Sequence, residues 1–297
     1  MLKAVLMTSR PPFLVLAFSC ISLIVATGFW LGAEISALLI IAMALLLFFA
    51  HISVNALNEA EDFVSGLDLI TTKTPFSGGT GTLPNKPEAL KGVWILGITS
   101  LVFATVIGLF LVALTDWYLI LLGVLGIIII VTYTRWINRM PWLCLLAPGI
   151  GLAVIPIFGG VWVMTGQPLL AALLISLIPA LLINNLLLLN QFPDRDADRK
   201  IGRKTMLVAY GYEFSSKLYL LNWILAVFLL GLFVWNATLP RAASLTIFPM
   251  LFGFGAWRGA VNYPRELPEH TAYMAANVAC AVLSPLALAL LLFLFSS

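Results

Sequence analysis

The sequence predicts an all-α integral membrane protein with nine transmembrane helices, and three observations predict it. Of the 297 residues, 62% are hydrophobic and only 10% charged, against roughly a quarter charged in an average soluble chain; mean hydropathy is +1.06. The apolar residues come in runs of about 20, the length an α-helix needs to cross a bilayer core. These lie near 13–32, 36–57, 92–113, 117–134, 143–164, 168–190, 217–235, 242–257 and 273–295. With these spans in place, every Lys and Arg except Arg241 falls on one side of the membrane. The positive-inside rule makes that side, with the N-terminus, cytoplasmic.

The first span follows "MLKAVLMTSRPPF", a basic, Pro-containing opening with Arg10 near its end. The apolar run behind it has full span length and no small-residue cleavage site stands out, so it is read as a span and not a signal peptide. No Arg- and Ser-rich transit segment precedes it, and a bacterial or archaeal plasma membrane is the expected location. The second span ends in "HISVNALNEAEDFVSGLD". His51, Asn55, Asn58 and Asp62 are spaced 4, 3 and 4 apart, which sets them on one helical stripe. His51 lies deepest and is read as a packing residue. Asn55 is nearer the polar end and is a candidate contact for substrate. The loop that follows carries "SGGTG", whose backbone amides suit a phosphate as well as they suit a flexible turn.

The third and fourth spans are apolar throughout. "YTRWINR" then returns Tyr133, Arg135 and Arg139 to the same side as Asp62, where interfacial anchoring is an equal account of them. Cys20, Cys144 and Cys280 fall inside spans with no CxxC pairing and are read as packing residues. The sixth span ends in "NQFPD", repeating the Asn-x-x-x-Asp pattern of "NEAED". Asn190 and Asp194 stack one turn apart, with Asp198 a turn further on if the helix continues. Pro193 predicts that it loosens there, because proline removes a backbone donor and disfavours helical geometry at Phe192. The two motifs are separated by four spans and so emerge on one face. The chain is read as a single domain, 1–297, with two four-span pseudo-repeats (about 13–134 and 143–257) and a last helix. No nucleic-acid partner is expected, and spans that are apolar all round do not separate lipid-facing from subunit-facing residues.

Asp62, Asp68, Asp194 and Asp198 form two carboxylate clusters, with Asn58 and Asn190 as neutral oxygen donors. Clustered carboxylates repel unless they are protonated or bridged by a cation, and charge at membrane depth is costly without a partner and a task. Mg²⁺ takes one or two carboxylates together with water and phosphate oxygens. Lys73 and Lys86 follow the first cluster; Arg199, Arg203 and Lys204 follow the second. Acids, a divalent cation and flanking basic residues together describe a diphosphate site. The plain alternative, helix ends meeting water, is weakened by two matching motifs on one face.

These motifs resemble those of the UbiA superfamily of intramembrane prenyltransferases, in which nine helices surround a central cavity and Asp-rich motifs follow the second and sixth. "NEAEDFVSGLD" resembles the first motif and "NQFPDRDADRKIGRKT" the second; "TSRPPF" and "TPFSGGTGTLP" are similar to segments carried nearby. The spacing of "EDFVSGLD" is most similar to the 1,4-dihydroxy-2-naphthoate branch of menaquinone synthesis. The resemblance implies Mg²⁺-dependent transfer of an isoprenyl chain from an isoprenyl diphosphate to an aromatic quinone precursor within the lipid bilayer. It implies that Asn58, Asp62 and Asp68 hold one Mg²⁺ and that Asp194 and Asp198, assisted by Asn190, hold a second. Lys73, Arg135, Arg139, Arg199, Lys204 and Arg10 are then diphosphate-binding candidates, and Asn55 and Tyr133 contact substrate. Glu59 departs from the family's common Asp, and Gln191 and Pro193 stand where relatives often read NNxRD. Other acceptors (4-hydroxybenzoate, a porphyrin, a glycerol phosphate lipid) use the same chemistry. A cation transporter is the alternative from another class, although transporters usually bind near the midplane.

Overall fold

A computed structural model describes residues 1–295, which are helical with no strand among them. Nine long helices follow one another among the described residues: α1 (Val15–Trp30), α2 (Ala37–Val64), α3 (Leu90–Leu114), α4 (Leu119–Thr132), α5 (Pro141–Thr165), α6 (Leu170–Lys200), α7 (Met206–Trp235), α8 (Ile247–Asn262) and α9 (Thr271–Leu294). Seven are long and apolar enough to cross a membrane, α1 together with the turn before it as Pro11–Trp30 (20 residues); α4, with 14 residues, and α8, with 16, are shorter.

Three helices outrun the spans expected from hydropathy. α2 has 28 residues and α6 has 31, so at 1.5 Å per residue they reach about 42 and 46 Å, well beyond a core of about 30 Å. The excess lies at the motif ends. α7 begins at Met206 and not near 217, with a break at Gly211 (φ 80°, ψ −179°) separating its first turn from the rest. The expected loosening at Pro193 does not occur: α6 runs unbroken through it to Lys200. Phe192, fully buried among Leu145, Leu188, Leu189, Met206 and Leu207, holds the turn in place. Tertiary packing there outweighs the local cost of the missing donor.

α6 is the most buried of the apolar helices and packs against α5, α7 and α9. Its approach to α5 is close at Gly149, where a Cβ would stand 2.5 Å from Ala180 O and Asn184 Oδ1. Pro148 and Pro156 interrupt the α5 ladder around a π segment, Ile150–Val154, as prolines and π-bulges do. Asn184 Oδ1 accepts a bond from the Gly149 amide at 2.7 Å, so that donor stays satisfied. Deeper polar groups tie α6, α7 and α9. Asn185 donates to Tyr219 O (2.8 Å) and accepts from Asn222 (3.0 Å), and the Tyr219 hydroxyl donates to Asn277 (2.7 Å). Cys20, Cys144 and Cys280 are buried free thiols.

Gly149→Ala should therefore lower stability by about 1–3 kcal/mol, the usual cost of overpacking. Gly255→Ala in the interior of α8, where an added Cβ meets nothing within 4 Å, should leave it unchanged or raise it by up to about 1 kcal/mol, the helix-propensity gain of alanine over glycine. Thermal unfolding in detergent compares the two, and equal melting temperatures would contradict the tight α5–α6 contact.

Candidate functional site

The two motifs meet at one end of the bundle. Asn58 and Asp62 lie one turn apart on the last turns of α2. The chain then reverses at Gly66 (φ 83°) into a short helix, Leu67–Ile70, that buries Asp68. Glycine is favoured at such a positive φ because it has no Cβ to clash. Asn190, Asp194 and Asp198 follow at four-residue intervals on α6, and the unbroken helix keeps them on one stripe. All six line one polar chamber of about 100 Å³ with Arg10, Tyr133, Asn138, Gln191 and Arg203.

Arg203 joins the motifs directly: one Nη donates to Asp62 Oδ1 and the other to Asp198 Oδ1 at 3.3 Å. Asp62 and Asp198 are 6% and 2% exposed, a burial that carboxylates accept only when paired. Arg10 is the second cation and donates to Asn58 Oδ1 and Glu59 Oε2, each at 3.2 Å. Glu59 is fully buried and also accepts from the Thr80 amide (2.9 Å) and hydroxyl. It therefore anchors both Arg10 and the "SGGTG" loop. That loop lies against Asp68; a Cβ on Gly79 (φ 72°) would stand 2.8 Å from Asp68 Oδ1. Asn58 Nδ2 donates to Thr134 Oγ1 at 2.9 Å, fixing the α2 end against the residues after α4.

Two carboxylate oxygens, Asp68 Oδ2 and Asp194 Oδ1, are buried with no hydrogen-bond partner. One comes from each motif, and both carboxylates line the chamber. Burial, then the neighbouring carboxylates of Glu59 and Asp62, push the Asp68 carboxyl up to about 7. Among the described residues no three His, Cys, Asp or Glu side chains form a ready metal cage. The donor set suits a hard cation that completes its shell with water and phosphate oxygens.

Beneath the chamber lies an apolar cavity of about 440 Å³ between α1, α2, α3, α4 and α5, and Arg10, Asn58, Tyr133 and Leu187 line both compartments. His51 and Asn55 face the cavity, and Asn55 Nδ2 donates to Ser9 O at 2.9 Å. Lys73, Arg135, Arg139, Arg199 and Lys204 are exposed and line neither compartment. Lys73 is still close enough to Asp68 to oppose the rise of its pKa. Sequence reasoning had not singled out the bridging role of Arg203, the anchoring role of Glu59, or Asn138, which accepts from Cys144 Sγ at 3.3 Å and through its carbonyl from the Lys204 amide at 2.9 Å. The signal for Arg203 was present in its place five residues after Asp198.

Apolar helices that bring acids, amides and arginines together over a greasy cavity define a multi-pass integral membrane protein with a polar chamber set against an apolar one. The model of the UbiA prenyltransferase family matches residues 14–278, and the chain belongs to that family. The 1,4-dihydroxy-2-naphthoate octaprenyltransferase of Bacillus subtilis (strain 168) is 27% identical over 211 residues, 70% of this chain and 66% of that one. The match thus spans just under two thirds of the relative's length. A UbiA homolog from Archaeoglobus fulgidus bound to DMAPP and Mg²⁺ has a TM-score of 0.64 at 14% identity, over 98% of this chain and 99% of that one. An apo UbiA homolog from Aeropyrum pernix K1 has a TM-score of 0.67 at 18% identity, over 89% and 94%. At such identities these two likenesses establish the fold.

Two expectations follow. A carboxyl whose folded pKa is raised holds its proton in the folded chain where the unfolded chain has lost it. Its contribution therefore declines as pH rises from about 4 to about 7. In metal-free buffer, Asp68→Asn should lose less thermal stability than the parent across that window, and parallel pH slopes would refute this. Glu59→Gln should cost about 2–3 kcal/mol, below the full value for a broken buried pair because Arg10 is partly solvated. It should also speed hydrogen exchange at the Thr80 amide.

Proposed function

We propose that the chain transfers an isoprenyl group from an allylic isoprenyl diphosphate to an electron-rich carbon of an aromatic quinone precursor, with a 1,4-dihydroxy-2-naphthoate-like acceptor favoured. The single observation that carries this reading is the convergence of carboxylates from α2 and α6 on one polar chamber opening into an apolar cavity. The naphthoate acceptor draws its support from the 27% identical Bacillus subtilis relative. The family and the position of the acids at helix ends favour an enzyme over a transporter.

Asn58, Asp62 and Asp68 would hold one Mg²⁺, and Asn190, Asp194 and Asp198 a second; the unpartnered oxygens of Asp68 and Asp194 fit that task. A metal held by these residues would supply charge neutralisation for the departing diphosphate. Arg10 and Arg203, both in the chamber wall, add positive charge where that anion develops. The allylic C–O bond breaks and its electron pair leaves with the diphosphate. A ring carbon supplies the pair for the new C–C bond, and the ring regains aromaticity when the attacked carbon loses its hydrogen as a proton, or its carboxylate as CO₂, with the bonding pair returning to the ring. Apolar walls from α2, α3, α4 and α5 hold the tail and keep out water that would quench the allylic cation. Tyr133, which lines both compartments, and Asn55, which lines the cavity, would contact the substrate and orient the reacting carbon. The charge asymmetry of the loops supports a cytoplasmic chamber and N-terminus in a bacterial or archaeal plasma membrane. The matching ends of α2 and α6 support two four-helix repeats, about 13–134 and 143–257.

The test is purified protein with a long-chain isoprenyl diphosphate and a panel of naphthoate, hydroxybenzoate, porphyrin and glycerol phosphate acceptors, read by mass spectrometry. Product should form with Mg²⁺ on the naphthoate and disappear in EDTA. Asp62→Ala and Asp194→Ala should each lower turnover by about 100-fold or more, the scale for losing a preorganised electrostatic partner. Undiminished product in either variant would remove the assigned metal role.

A further inference from the structure

The chamber has two cations, and they are held differently. Arg10 is fixed by Asn58 and by Glu59, whose carboxylate is fully buried and also bound by Thr80. Arg203 reaches its partners from the short connection between α6 and α7. Its amide is tied to Asp198 O at 3.0 Å, the next amide is tied to Asn138 O at 2.9 Å, and Gly202 beside it is left-handed (φ 81°). The backbone is anchored on both sides of Arg203, and its long side chain lines the chamber and ends on two carboxylates, so an exchange of partners at the guanidinium involves the side chain alone.

Its partners are one carboxylate from each motif, Asp62 and Asp198. The other two aspartates of the chamber, Asp68 and Asp194, each carry a buried oxygen with no partner. The four acids are thus split into a pair committed to Arg203 and a pair open to a ligand. A guanidinium is also the side chain best suited to trade a carboxylate for a phosphate, since its planar fork fits either anion.

We propose that Arg203 is an exchangeable countercation. It bridges the motifs ahead of substrate, then yields Asp62 and Asp198 to the metal and turns onto the diphosphate oxygens. Arg203 thereby touches the substrate's anionic head directly, and the proposal rests on the diphosphate reading above. The exchange is non-covalent and keeps charge in register: two carboxylates lose one cation and gain another, while the displaced guanidinium meets the incoming anion. A consequence follows that a merely structural arginine would not show. Arg203 competes with a metal that arrives alone, and cooperates with a metal that arrives with diphosphate.

The experiment measures Mn²⁺ binding to the full-length protein in detergent by electron paramagnetic resonance, with and without inorganic diphosphate. In the parent protein Mn²⁺ alone should bind weakly and diphosphate should tighten it. In Arg203→Gln, Mn²⁺ alone should bind about tenfold more tightly and the gain from diphosphate should shrink by a similar factor, within the usual range of coupling between sites. Opposite shifts support the exchange; affinities that fall together, or do not change, overturn it. If Arg203→Gln does not give folded protein, Arg203→Lys decides, because one ammonium keeps the charge but cannot span both carboxylates as a fork does. Tighter binding of Mn²⁺ alone supports the proposal, and unchanged or weaker binding overturns it. If the parent binds no Mn²⁺ even with diphosphate, the diphosphate reading fails and this proposal with it. If the parent behaves as expected and only the variants do not, the Arg203 proposal alone fails.

Discussion

Carboxylates buried beside an apolar cavity must be neutralised, and much of this molecule follows from how that is done. A chain that is 10% charged gathers Glu59, Asp62, Asp68, Asp194 and Asp198 at one end of its bundle. Removing such groups from water costs several kcal/mol apiece before any attraction is recovered. Arg203 offsets this by bridging Asp62 and Asp198, and Arg10 by pairing with Glu59. The lengths of α2 and α6 serve the same end. Both are longer than a hydrocarbon layer of about 30 Å requires, and the acids lie in the excess at their ends. The glycine loop belongs to this constraint as well, because Thr80 completes the bonding of Glu59 and Gly79 packs on Asp68.

The acids of the site were readable because helix geometry translates directly into spacing. Asn58 to Asp62, Asn190 to Asp194 and Asp194 to Asp198 are each one turn, and an even number of spans between the motifs puts them on one face. The long apolar helices were readable for the same reason, since lipid demands long apolar runs, although seven and not nine are long and apolar enough to span among the described residues. What could not be read was whatever depends on partners distant in sequence. Proline at 193 carries a local preference, but buried Phe192 decides the outcome. Glu59 looked like a departure from a motif, and only its burial against Thr80 and Arg10 reveals an anchor. The basic residues were the least legible. Arg135, Arg139, Arg199 and Lys204 satisfy topology from the surface, and nothing in composition distinguishes them from Arg203, which turns inward. The asparagines at 184, 185, 222 and 277 were hidden inside apolar runs, where hydropathy averages them away.

Those asparagines show how the bundle divides its work. Asn185, Tyr219, Asn222 and Asn277 bond α6, α7 and α9 to one another deep in the apolar layer, where polar side chains act as glue between helices. The cavity side is built in the opposite way. Its lining from α2 to α5 is aliphatic and rich in glycine, and α4 buries only Leu119 among its described residues. A wall without polar bonds can adjust to a flexible hydrocarbon at little cost, because one apolar contact replaces another. A wall that held the reacting end so loosely would lose the alignment on which proximity catalysis depends. The second motif accordingly sits on α6, the most buried helix, and the first on α2, which takes part in lining the cavity. Arg203 joins the firmly bonded half of the molecule to the adaptable half, so the separation of the two motifs is set by side-chain electrostatics as well as by helix packing.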